Sequence, residues 1–557
     1  MMGPGWFDRP TSLRRLADDP FDVLVVGAGI TGAGCALDAA ARGLRTALID
    51  RDDFAAGTSS KSSKLVHGGL RYLQQGEVRL VYEALRERQR LRHNAPHLVK
   101  VLPFLIPVFS GRDGLISKKL ARMLGSAMWM YDLTGGARIG KLHQRLTAEE
   151  AMKHMPTLPR ERLHSAYLYY DAQADDARLV LTLARTAAVD HGAVVANGVS
   201  LVAVRHDVNG RVEGATVEAD GERIEVACRA IVNATGVWSD DVRELDEGTD
   251  PDSIRPAKGI HITVPWSLVQ NDIAAVVPVP KDKRSVFVVP WGDFTYIGTT
   301  DTDYDGPVDD PQCTAEDIAY LLKAVNFSTT TKITEHDVTG TWAGLRPLVK
   351  SAESGRTADL SRRHNVHVAA SGVVTITGGK LTTYREMAED TIAAVVTGLG
   401  QSVTGRLNRR ASTAQLRLRG AEGYEDVRIA GDPISVHLAD RYGGEARILL
   451  AMIDANPELG EILVPGLPYL KAEAVYAARH EMALSVTDVL ARRTRALLLD
   501  REASATAAPL VASLMARVLG WSPADQAEQV AAYRRIVDAE RAAAEQPGSA
   551  LDAAIGA

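Results

Sequence analysis

Three glycines near the beginning of the chain have the spacing of a turn that binds a pyrophosphate. Gly27, Gly29 and Gly32 form the pattern GxGxxG between the apolar run FDVLVV and the small-residue segment ITGAGCALDAAARG. The first glycine permits a tight turn, the second admits the pyrophosphate close to the backbone, and the third lets a helix pack closely on a strand. The phosphates would lie at the N-terminus of that helix, where backbone N–H groups point outward. The spacing therefore predicts a dinucleotide site.

An acidic residue follows at the position where the second strand of such a site ends. Asp50 closes the segment LRTALID, eighteen residues after Gly32, and we expect its carboxylate to bind the ribose hydroxyls of the adenosine half. Two later segments, AIVNATGVWSD and TITGGKLTTYREMAED, each end a strand-like run and begin a helical pattern. Late returns of the chain to the dinucleotide domain are typical of large flavoproteins, and the sequence has no second GxGxxG for a nicotinamide cofactor. The sequence therefore favours FAD over NAD.

The segment TITGGKLTTYREMAED ends its strand abruptly and places a lysine at the break. Gly378 and Gly379 would let the backbone run beneath the flavin. A helix from about Leu381 would direct its positive end toward the flavin O2 region, where reduction builds negative charge. Burial and neighbouring cations would lower the pKa of Lys380 below that of a free lysine. An ordinary β–α turn is the alternative interpretation.

The composition limits the class of protein. The 557 residues are 46% hydrophobic and 24% charged, with a formal net charge of −6, which is ordinary for a globular protein and gives no indication of nucleic-acid binding. Cys35, Cys228 and Cys313 form neither a metal-binding spacing nor a disulfide framework, so we expect a reducing compartment. His480 and Glu481 do not continue to HExxH, so no catalytic zinc is expected. The sequence predicts neither a signal peptide nor a transmembrane helix.

Hydrophobic periodicity divides the chain into two parts. Residues 1–400 carry strand-like runs separated by helical segments, among them a basic helix from Glu77 to Asn94 and an amphipathic helix over 175–190. From about residue 400 onward Ala, Arg, Glu and Leu recur with helical spacing. We therefore predict an interleaved α/β and β body over 1–400, followed by a helical appendix over 401–557.

An ordered set of motifs resembles those of a known family. Over about residues 21–395 the chain contains, in this order, GAGITGAG, TSSKSSKLVHGGLRYL, NATGVW, KGIHITVP, IGTTD, GLRPL and GGKLTTYREMAED. This set closely resembles the FAD-dependent, quinone-linked glycerol-3-phosphate dehydrogenases, and the broader fold is similar to that of D-amino-acid oxidase and glycine oxidase. The resemblance implies an α/β plus α+β protein, in which a Rossmann-like FAD-binding domain is interleaved with an antiparallel-sheet substrate domain and followed by a C-terminal helical domain.

The resemblance implies domain bounds and cofactor contacts. The predicted FAD-binding domain takes residues 1–95, 165–250 and 345–400, the substrate domain takes 96–164 and 251–344, and the helical domain takes 401–557. The implied FAD-binding residues are Gly27, Gly29, Gly32, Asp50, Ser59, Ser60, Ser63, Lys64, Gly68, Gly69, Ala234, Gly236, Gly378, Gly379, Lys380 and Leu381.

The resemblance also implies a substrate site beside the flavin. Its residues, read from HGGLRYL, KGIHITV, GLRPL and GGKLTTY, are Arg71, Tyr72, His261, Arg346, Lys380 and Thr382. A dianionic phosphate favours planar, permanently charged donors, and arginine binds it in a bidentate manner. Without the resemblance, Arg71 and Arg346 would each be interpreted as a partner in a structural ion pair.

Three of these residues are candidates for catalysis. Removal of the C2 hydrogen as hydride to flavin N5 is accompanied by loss of the hydroxyl proton, which needs a base within hydrogen-bond reach. His261 is the first candidate, because imidazole titrates near neutral pH, and Lys380 is the second if its pKa is depressed. Arg346 would polarise the developing carbonyl oxygen.

The predicted enzyme oxidises sn-glycerol 3-phosphate to dihydroxyacetone phosphate with FAD and passes the electrons to membrane quinone. Three alternatives stay open: an oxidase that passes the electrons to oxygen, an amine oxidase of the same fold, and a non-catalytic flavin-binding sensor. The sequence leaves a homodimer open and does not give the role of residues 401–557.

A basic, amphipathic segment over 111–133 predicts contact with a membrane surface. The segment GRDGLISKKLARMLGSAMWMYDL places basic residues among apolar ones, with the basic residues at Lys118, Lys119 and Arg122. An ordinary core-packing helix with a solvated basic edge is the alternative. The resemblance is to a monotopic family, which favours peripheral attachment to the inner face of the cell membrane.

Overall fold

The architecture is that of a computed structural model, which describes residues 7–69, 77–109, 118–282, 284–350, 364–405, 407 and 413–545. The strands of these residues, numbered in chain order, are β1 Val23–Val26, β2 Thr46–Asp50, β3 Leu65–Val66, β4 Val99–Phe109, β5 Gln144–Thr147, β6 Leu163–Ala174, β7 Val194–Asn197, β8 Val199–His206, β9 Val212–Ala219, β10 Glu222–Ala227, β11 Ile231–Asn233, β12 Ile254–Pro265, β13 Ala274–Pro278, β14 Ser285–Trp291, β15 Phe294–Gly298, β16 Thr302–Asp303, β17 Gly340–Val349, β18 His364–Val368 and β19 Val374–Gly378.

The α-helices of the same residues are α1 Arg9–Asp18, α2 Ile30–Ala41, α3 Val78–Asn94, α4 Lys118–Leu133, α5 Ala148–His154, α6 Asp176–Arg185, α7 Ser239–Glu247, α8 Ala315–Ser328, α9 Tyr384–Gly398, α10 Gln401–Thr404, α11 Tyr424–Arg428, α12 Pro433–Tyr442, α13 Ala446–Ala455, α14 Lys471–His480, α15 Ala496–Leu499, α16 Arg501–Leu519 and α17 Pro523–Glu545. The predicted basic helix corresponds to α3. The predicted helix over 175–190 corresponds to α6, extended by a π-helical turn at Thr186–Asp190.

A six-stranded sheet brings three distant segments of the chain to one edge. Its strand order is β18-β19-β11-β1-β2-β7, and the neighbouring strands from β19 to β7 are parallel. The four residues of β1 are all buried, because one face of the strand packs against α2, α6 and α9 and the other against the strands β8 and β9. Helix α2 packs against α6 and α9. Because parallel strands end at the same edge, the turns after β1, β11 and β19 meet there.

A larger sheet forms the second layer of the body. Its order is β16-β12-β15-β14-β13-β4-β6-β3, with β17 paired to β12 and β5 paired to β6. Its pairs are antiparallel except for β13 with β4. The predicted domain bounds at 165 and 345 fall inside β6 and β17, which are continuous strands of this sheet. A separate three-stranded sheet, β10-β9-β8, follows the strand β7.

The C-terminal helical domain is joined to the body by buried polar contacts. Arg178 of α6 donates to Glu481 at 2.6 Å, and both side chains are buried. The hydroxyl of Thr263 on β12 donates to the carbonyl of Leu498 at 2.7 Å. The region is therefore helical as predicted, but it is packed into the body. In the part of the chain that the structure describes, no helix has the length and apolar character needed to cross a bilayer.

We expect Glu481→Gln to destabilise the protein by about 3–5 kcal/mol, because the guanidinium of Arg178 would stay buried without its counter-charge. The measurement is the midpoint of heat unfolding. Glu83→Gln is the control, since Glu83 pairs with the exposed side chain of Arg79 four residues away, and solvent-exposed pairs of this kind contribute little to stability. Equal midpoint shifts for the two variants would contradict the assignment of Arg178 and Glu481 as a buried junction pair.

Candidate active site

The glycine-rich turn between β1 and α2 is closed tightly against the neighbouring turn. Gly27 has a φ of +96°, in the left-handed region that favours glycine. A Cβ atom on Gly27 would lie 2.8 Å from the carbonyl oxygen of Ala234, and one on Gly32 would lie 1.8 Å from the carbonyl oxygen of Gly27. The turn and the close helix–strand packing that the sequence predicts for these two glycines are therefore both present. The amide of Ala234 donates to Val26 at 2.9 Å, which joins the two turns.

Asp50 lies at the end of β2, directly beside this turn. Its Oδ2 atom accepts a hydrogen bond from the amide of Ala28 at 2.6 Å, and its Oδ1 atom accepts one from the amide of Asp52 at 2.9 Å. Burial raises the pKa of Asp50 to about 6. The carboxylate is thus oriented at the place where the sequence predicts a ribose acceptor.

A serine-rich loop at Thr58–Lys64 closes over the turn. The hydroxyl oxygen of Ser59 accepts a hydrogen bond from the amide of Ile30 at 2.9 Å, at the N-terminus of α2. Ser60 contributes its carbonyl oxygen to the Lys64 ammonium at 3.1 Å. The loop predicted to bind the cofactor therefore contacts the dinucleotide turn directly.

Lys64 and Ser63, which the resemblance assigned to FAD, have protein partners for their side chains. The Lys64 ammonium is buried and donates to both carboxylate oxygens of Asp176 at 3.2 Å. Burial, followed by the charge of Arg495, lowers the pKa of Lys64 to about 8. The hydroxyl of Ser63 is hydrogen-bonded to Nε2 of His261 at 2.9 Å.

His261 is enclosed on β12 by aromatic rings and cations. Its ring stacks on Trp342 with centroids 4.7 Å apart and an interplanar angle of 9°. Burial, and then the charges of Lys64 and Arg346, hold the pKa of His261 well below its usual value. Among the described residues, the Nδ1 atom of this ring has no hydrogen-bond partner. His261 is therefore a neutral imidazole at neutral pH, with one ring nitrogen left for a ligand.

Arg346 lies on β17, across the ladder from β12. Its Nη1 atom donates to Asp301 at 3.1 Å, and its Nη2 atom donates to the carbonyl of Thr300 at 3.1 Å. A Cβ atom on Gly259 would lie 2.6 Å from Nη2, so the glycine leaves room for the guanidinium. The structural ion pair that was the alternative interpretation of Arg346 is thus present, and the side chain is still partly exposed.

The strand β19 ends at two glycines, as the sequence predicts. Gly378 and Gly379 have φ values of +74° and +77°, which explains why glycine is required at both positions. A short 3₁₀ turn at Leu381–Thr383 follows Lys380 and leads into α9. The buried hydroxyl of Thr382 accepts from the amide of His67 at 3.2 Å. Thr382, predicted to bind substrate, therefore also ties this turn to the loop after β3.

The remaining predicted positions have different outcomes. Gly236 and Gly69 adopt positive φ values of +67° and +75°. The amide of Gly68 donates to the hydroxyl of Tyr131 at 3.2 Å, so this glycine contacts α4. Arg71 and Tyr72 lie outside the described residues.

Two buried residues at this site were missed by the sequence analysis. Asp176 accepts hydrogen bonds from the loop residue Ser62 and from Lys64 and Arg495. The sequence indicated only that an acidic residue begins α6. Arg495 lies 319 residues farther along the chain, and no local pattern links the two.

Comparison with known proteins agrees with this geometry. A family model described as "FAD dependent oxidoreductase" matches residues 22–385, and one described as "C-terminal domain of alpha-glycerophosphate oxidase" matches 411–526. The chain is 40% identical to "Glycerol-3-phosphate dehydrogenase 2" of Mycobacterium tuberculosis over 98% of this chain and 92% of the relative.

Two solved structures have the same architecture. The glycerol-3-phosphate dehydrogenase of Bacillus halodurans, complexed with FAD, matches with a TM-score of 0.76 and 29% identity, over 98% of this chain and 99% of that one. The FAD-bound L-alpha-glycerophosphate oxidase of Mycoplasma pneumoniae matches with a TM-score of 0.53 and 17% identity, over 68% of this chain and 95% of that one. The second likeness concerns the fold alone.

The residues of the site fit FAD. The turn at Gly27 is open to a phosphate group only because neither Gly27 nor Gly29 carries a side chain, and the N-terminus of α2 follows it. A carboxylate acceptor stands beside it at Asp50. These are the features by which a dinucleotide is held.

We expect FAD affinity to fall when Asp50 is protonated. Its pKa of about 6 lies above the value of an unfolded aspartate. In the cofactor-free protein, lowering the pH through 6 therefore relieves the cost of the buried charge. The same change removes the anionic acceptor for the ribose, so FAD affinity should decrease by up to about tenfold per pH unit below 6. Quenching of flavin fluorescence on binding, titrated from neutral to acidic pH, measures this.

Asp50→Asn should bind FAD more weakly at neutral pH and lack the acidic step. Asp52→Asn is the matched control, since its exposed carboxylate lies two residues away. The ribose assignment fails if Asp50→Asn keeps the wild-type pH dependence.

Proposed function

This chain belongs to the FAD-dependent glycerol-3-phosphate dehydrogenases, and from that premise we propose that it oxidises sn-glycerol 3-phosphate to dihydroxyacetone phosphate by hydride transfer to flavin N5 and passes the electrons to a membrane quinone. The observation that carries the proposal is the buried His261, which is hydrogen-bonded to Ser63 of the loop that closes the dinucleotide turn and whose pKa is lowered by burial and then by the charges of Lys64 and Arg346. A base and an anion-binding group are thereby available next to the cofactor domain.

The charges around His261 suit an anionic substrate. The guanidinium of Arg346 is fixed by Asp301 and Thr300, so its orientation requires no further ordering when an anion binds. Lys380 precedes the 3₁₀ turn that leads into α9, where the helix dipole adds positive potential. A phosphate dianion is favoured in such a field more strongly than a singly charged carboxylate. We propose Arg346 and Lys380 as its ligands, with Arg71 as a further ligand implied by the resemblance.

His261 is proposed as the acceptor of the hydroxyl proton. Its lowered pKa keeps the imidazole neutral and able to accept a proton. If Nε2 donates its hydrogen to Ser63, the lone pair of Nδ1 is available to the substrate hydroxyl. Bound FAD supplies the acceptor for the hydride. Arg346 would stabilise the negative charge that develops on the carbonyl oxygen, and Lys380 is the second candidate base.

The family assignment leads to a direct test. Anaerobic addition of sn-glycerol 3-phosphate to the FAD-loaded protein should bleach the visible absorbance of oxidised flavin, and dihydroxyacetone phosphate should form in equal amount. Lack of bleaching by this substrate would overturn the proposed reaction.

A second candidate function is an oxidase, because residues 411–526 match the C-terminal domain of alpha-glycerophosphate oxidase. Stoichiometric peroxide formation in air would favour that candidate, and faster reduction of a quinone analogue than of oxygen would favour the dehydrogenase.

The exposed end of α4 supports the membrane part of the proposal. Trp129, Met130 and Leu133 are 56%, 45% and 82% exposed, whereas Met128 and Tyr131 on the same helix are buried. The helix thus packs one face into the body and presents large apolar side chains to solvent on the other. Residues 111–117 of the predicted segment lie outside the described residues. Lys118, Lys119 and Arg122 belong to the first turns of α4, and their contact with a membrane stays a prediction from sequence.

We expect Arg346→Ala and Lys380→Met to impair flavin reduction in different ways. Arg346→Ala removes charge-assisted hydrogen bonds worth about 1.5–3 kcal/mol, so the half-saturating substrate concentration should rise roughly ten- to hundredfold. Lys380→Met keeps the length of the side chain, so FAD should be retained while most turnover is lost. Anaerobic stopped-flow reduction over a range of substrate concentrations separates binding from chemistry. If the flavin of Lys380→Met is reduced at the wild-type rate, Lys380 is only a structural residue of the turn.

The membrane proposal predicts that the double variant Trp129→Ser, Leu133→Ser binds vesicles of anionic phospholipid more weakly, by about tenfold or more, because two apolar side chains no longer enter the interface. Cosedimentation with vesicles measures this. Leu245→Ser is the control, since Leu245 is an exposed leucine on α7. Equal loss in both variants, or no loss in either, would remove α4 as the lipid-binding surface.

A further inference from the structure

The C-terminal helical domain reaches the cofactor loop through one buried arginine. Arg495 is fully buried and has a φ of +69°, a conformation that costs free energy for a residue with a side chain. Its Nη2 atom donates to the carbonyl of Ser60 at 2.5 Å and to Asp176 at 2.7 Å. The hydrogen bonds to Ser60 and Asp176 therefore stabilise Arg495 in its unfavourable backbone conformation.

The loop that Arg495 contacts is wound around the carboxylate of Asp176. The amide and the hydroxyl of Ser62 donate to Oδ2 of Asp176 at 3.1 and 2.7 Å, and Lys64 donates to both oxygens. The neighbouring residue Ser59 accepts from Ile30 at the N-terminus of α2. A short series of contacts therefore runs from the C-terminal domain to the dinucleotide turn.

A second buried carboxylate of the cofactor domain is also bound by arginines of the C-terminal domain. Asp53, three residues after Asp50, accepts hydrogen bonds from Arg492 at 2.6 Å and from Arg493 at 2.7 and 2.9 Å. The two arginines hold the pKa of Asp53 far below its usual value against the effect of burial. Residues 492–495 thus neutralise two buried carboxylates of the cofactor domain.

We propose that Arg495 is a positioning residue, through which the C-terminal domain holds the loop Thr58–Lys64 in its FAD-retaining conformation. The domain is then a necessary part of the cofactor site. Without Arg495, Asp176 keeps Lys64 as its only cationic partner among the described residues, and the carbonyl of Ser60 loses its guanidinium donor. The loop then opens more often, and FAD escapes faster.

The test compares two arginines that cross the same junction. Arg495→Met removes the contacts to the loop. Arg185→Met is the matched control, because Arg185 on α6 is buried and donates from both terminal nitrogens to Glu445 of the C-terminal domain, at 2.6 and 3.2 Å, without touching the loop. The holoenzyme is diluted and FAD release is followed by the return of free-flavin fluorescence, while heat unfolding is measured in parallel.

We expect both variants to unfold at lower temperature and only Arg495→Met to release FAD at least tenfold faster. Arg495→Lys keeps the charge, but its shorter side chain reaches less far toward Ser60 and Asp176 and has no second arm to donate to the carbonyl of Ala491, so it should release FAD several-fold faster than wild type at a nearly unchanged unfolding temperature. If Arg495→Met does not fold, the rate of FAD release from Arg495→Lys tests the proposal. The proposal is overturned if Arg495→Met releases FAD no faster than Arg185→Met, or if Arg495→Lys releases it at the wild-type rate.

A pH profile separates positioning from general destabilisation. The charged or titratable groups that face Lys64 are Asp175, Asp176, Arg495 and His261. In the wild type, FAD release should accelerate as the pH rises through about 8, where Lys64 loses its proton and its pairing with Asp176. Loss of Arg495 removes a repelling charge, so the midpoint should move to higher pH in Arg495→Met and stay in place in Arg185→Met. An unmoved midpoint in Arg495→Met would count against the proposal.

Discussion

The burial of the Asp176 carboxylate is the constraint on which the arrangement of this protein depends. A carboxylate taken out of water costs several kcal/mol unless its oxygens are matched by donors and positive charge. At Asp176 these come from Ser62 and Lys64 in the cofactor loop, from the next amide of α6, and from Arg495 in the C-terminal domain. Segments that are far apart in sequence must therefore meet at one point. The serine-rich loop has its shape because it supplies donors to this anion.

The same positive charges determine the state of His261. Burial, and then the positive charges of Lys64 and Arg346, lower the pKa of His261 by disfavouring its protonated form. The imidazole stays neutral, which is the state that a general base requires. A field that keeps the base neutral also attracts an anionic substrate, so one set of side chains supports both parts of the proposed chemistry. When a dianion binds, its charge would offset that of the cations and make a protonated imidazole easier to form.

Local patterns in the sequence were sufficient for the parts of the site that depend on backbone geometry. The spacing of Gly27 and Gly32 predicted the turn, and the pair Gly378–Gly379 predicted the abrupt end of β19, because each of these positions needs a conformation or a space that only glycine provides. Motif order was sufficient for the family and for FAD. The long-range partners were not predictable in this way. Asp176 looked like an ordinary acidic residue at a helix start.

The extent of individual strands was not predictable for a related reason. The predicted bounds at 165 and 345 lie within β6 and β17, which continue through these positions because their hydrogen-bond ladders to β4 and β12 continue. The length of a strand depends on the strand it pairs with, and the sequence of one segment does not show which strand that is. The pairing of Arg346 with Asp301 is of the same kind, since both lie in segments that meet only when β12 and β17 pair.

The helix α4 shows how an exposed surface can be joined to the cofactor domain without a long path. Tyr131 lies on the same helix as the exposed Trp129, two residues apart, and its hydroxyl donates to Asp171 at 2.6 Å and accepts from the amide of Gly68 at 3.2 Å. The next residue toward the loop, His67, donates from its amide to the hydroxyl of Thr382, in the 3₁₀ turn that follows β19. The face proposed to meet lipid and the turn proposed to meet the flavin are therefore held by consecutive residues of one short segment. An electron acceptor bound at the proposed lipid-facing surface would therefore be linked to the cofactor domain through Tyr131, Gly68 and His67.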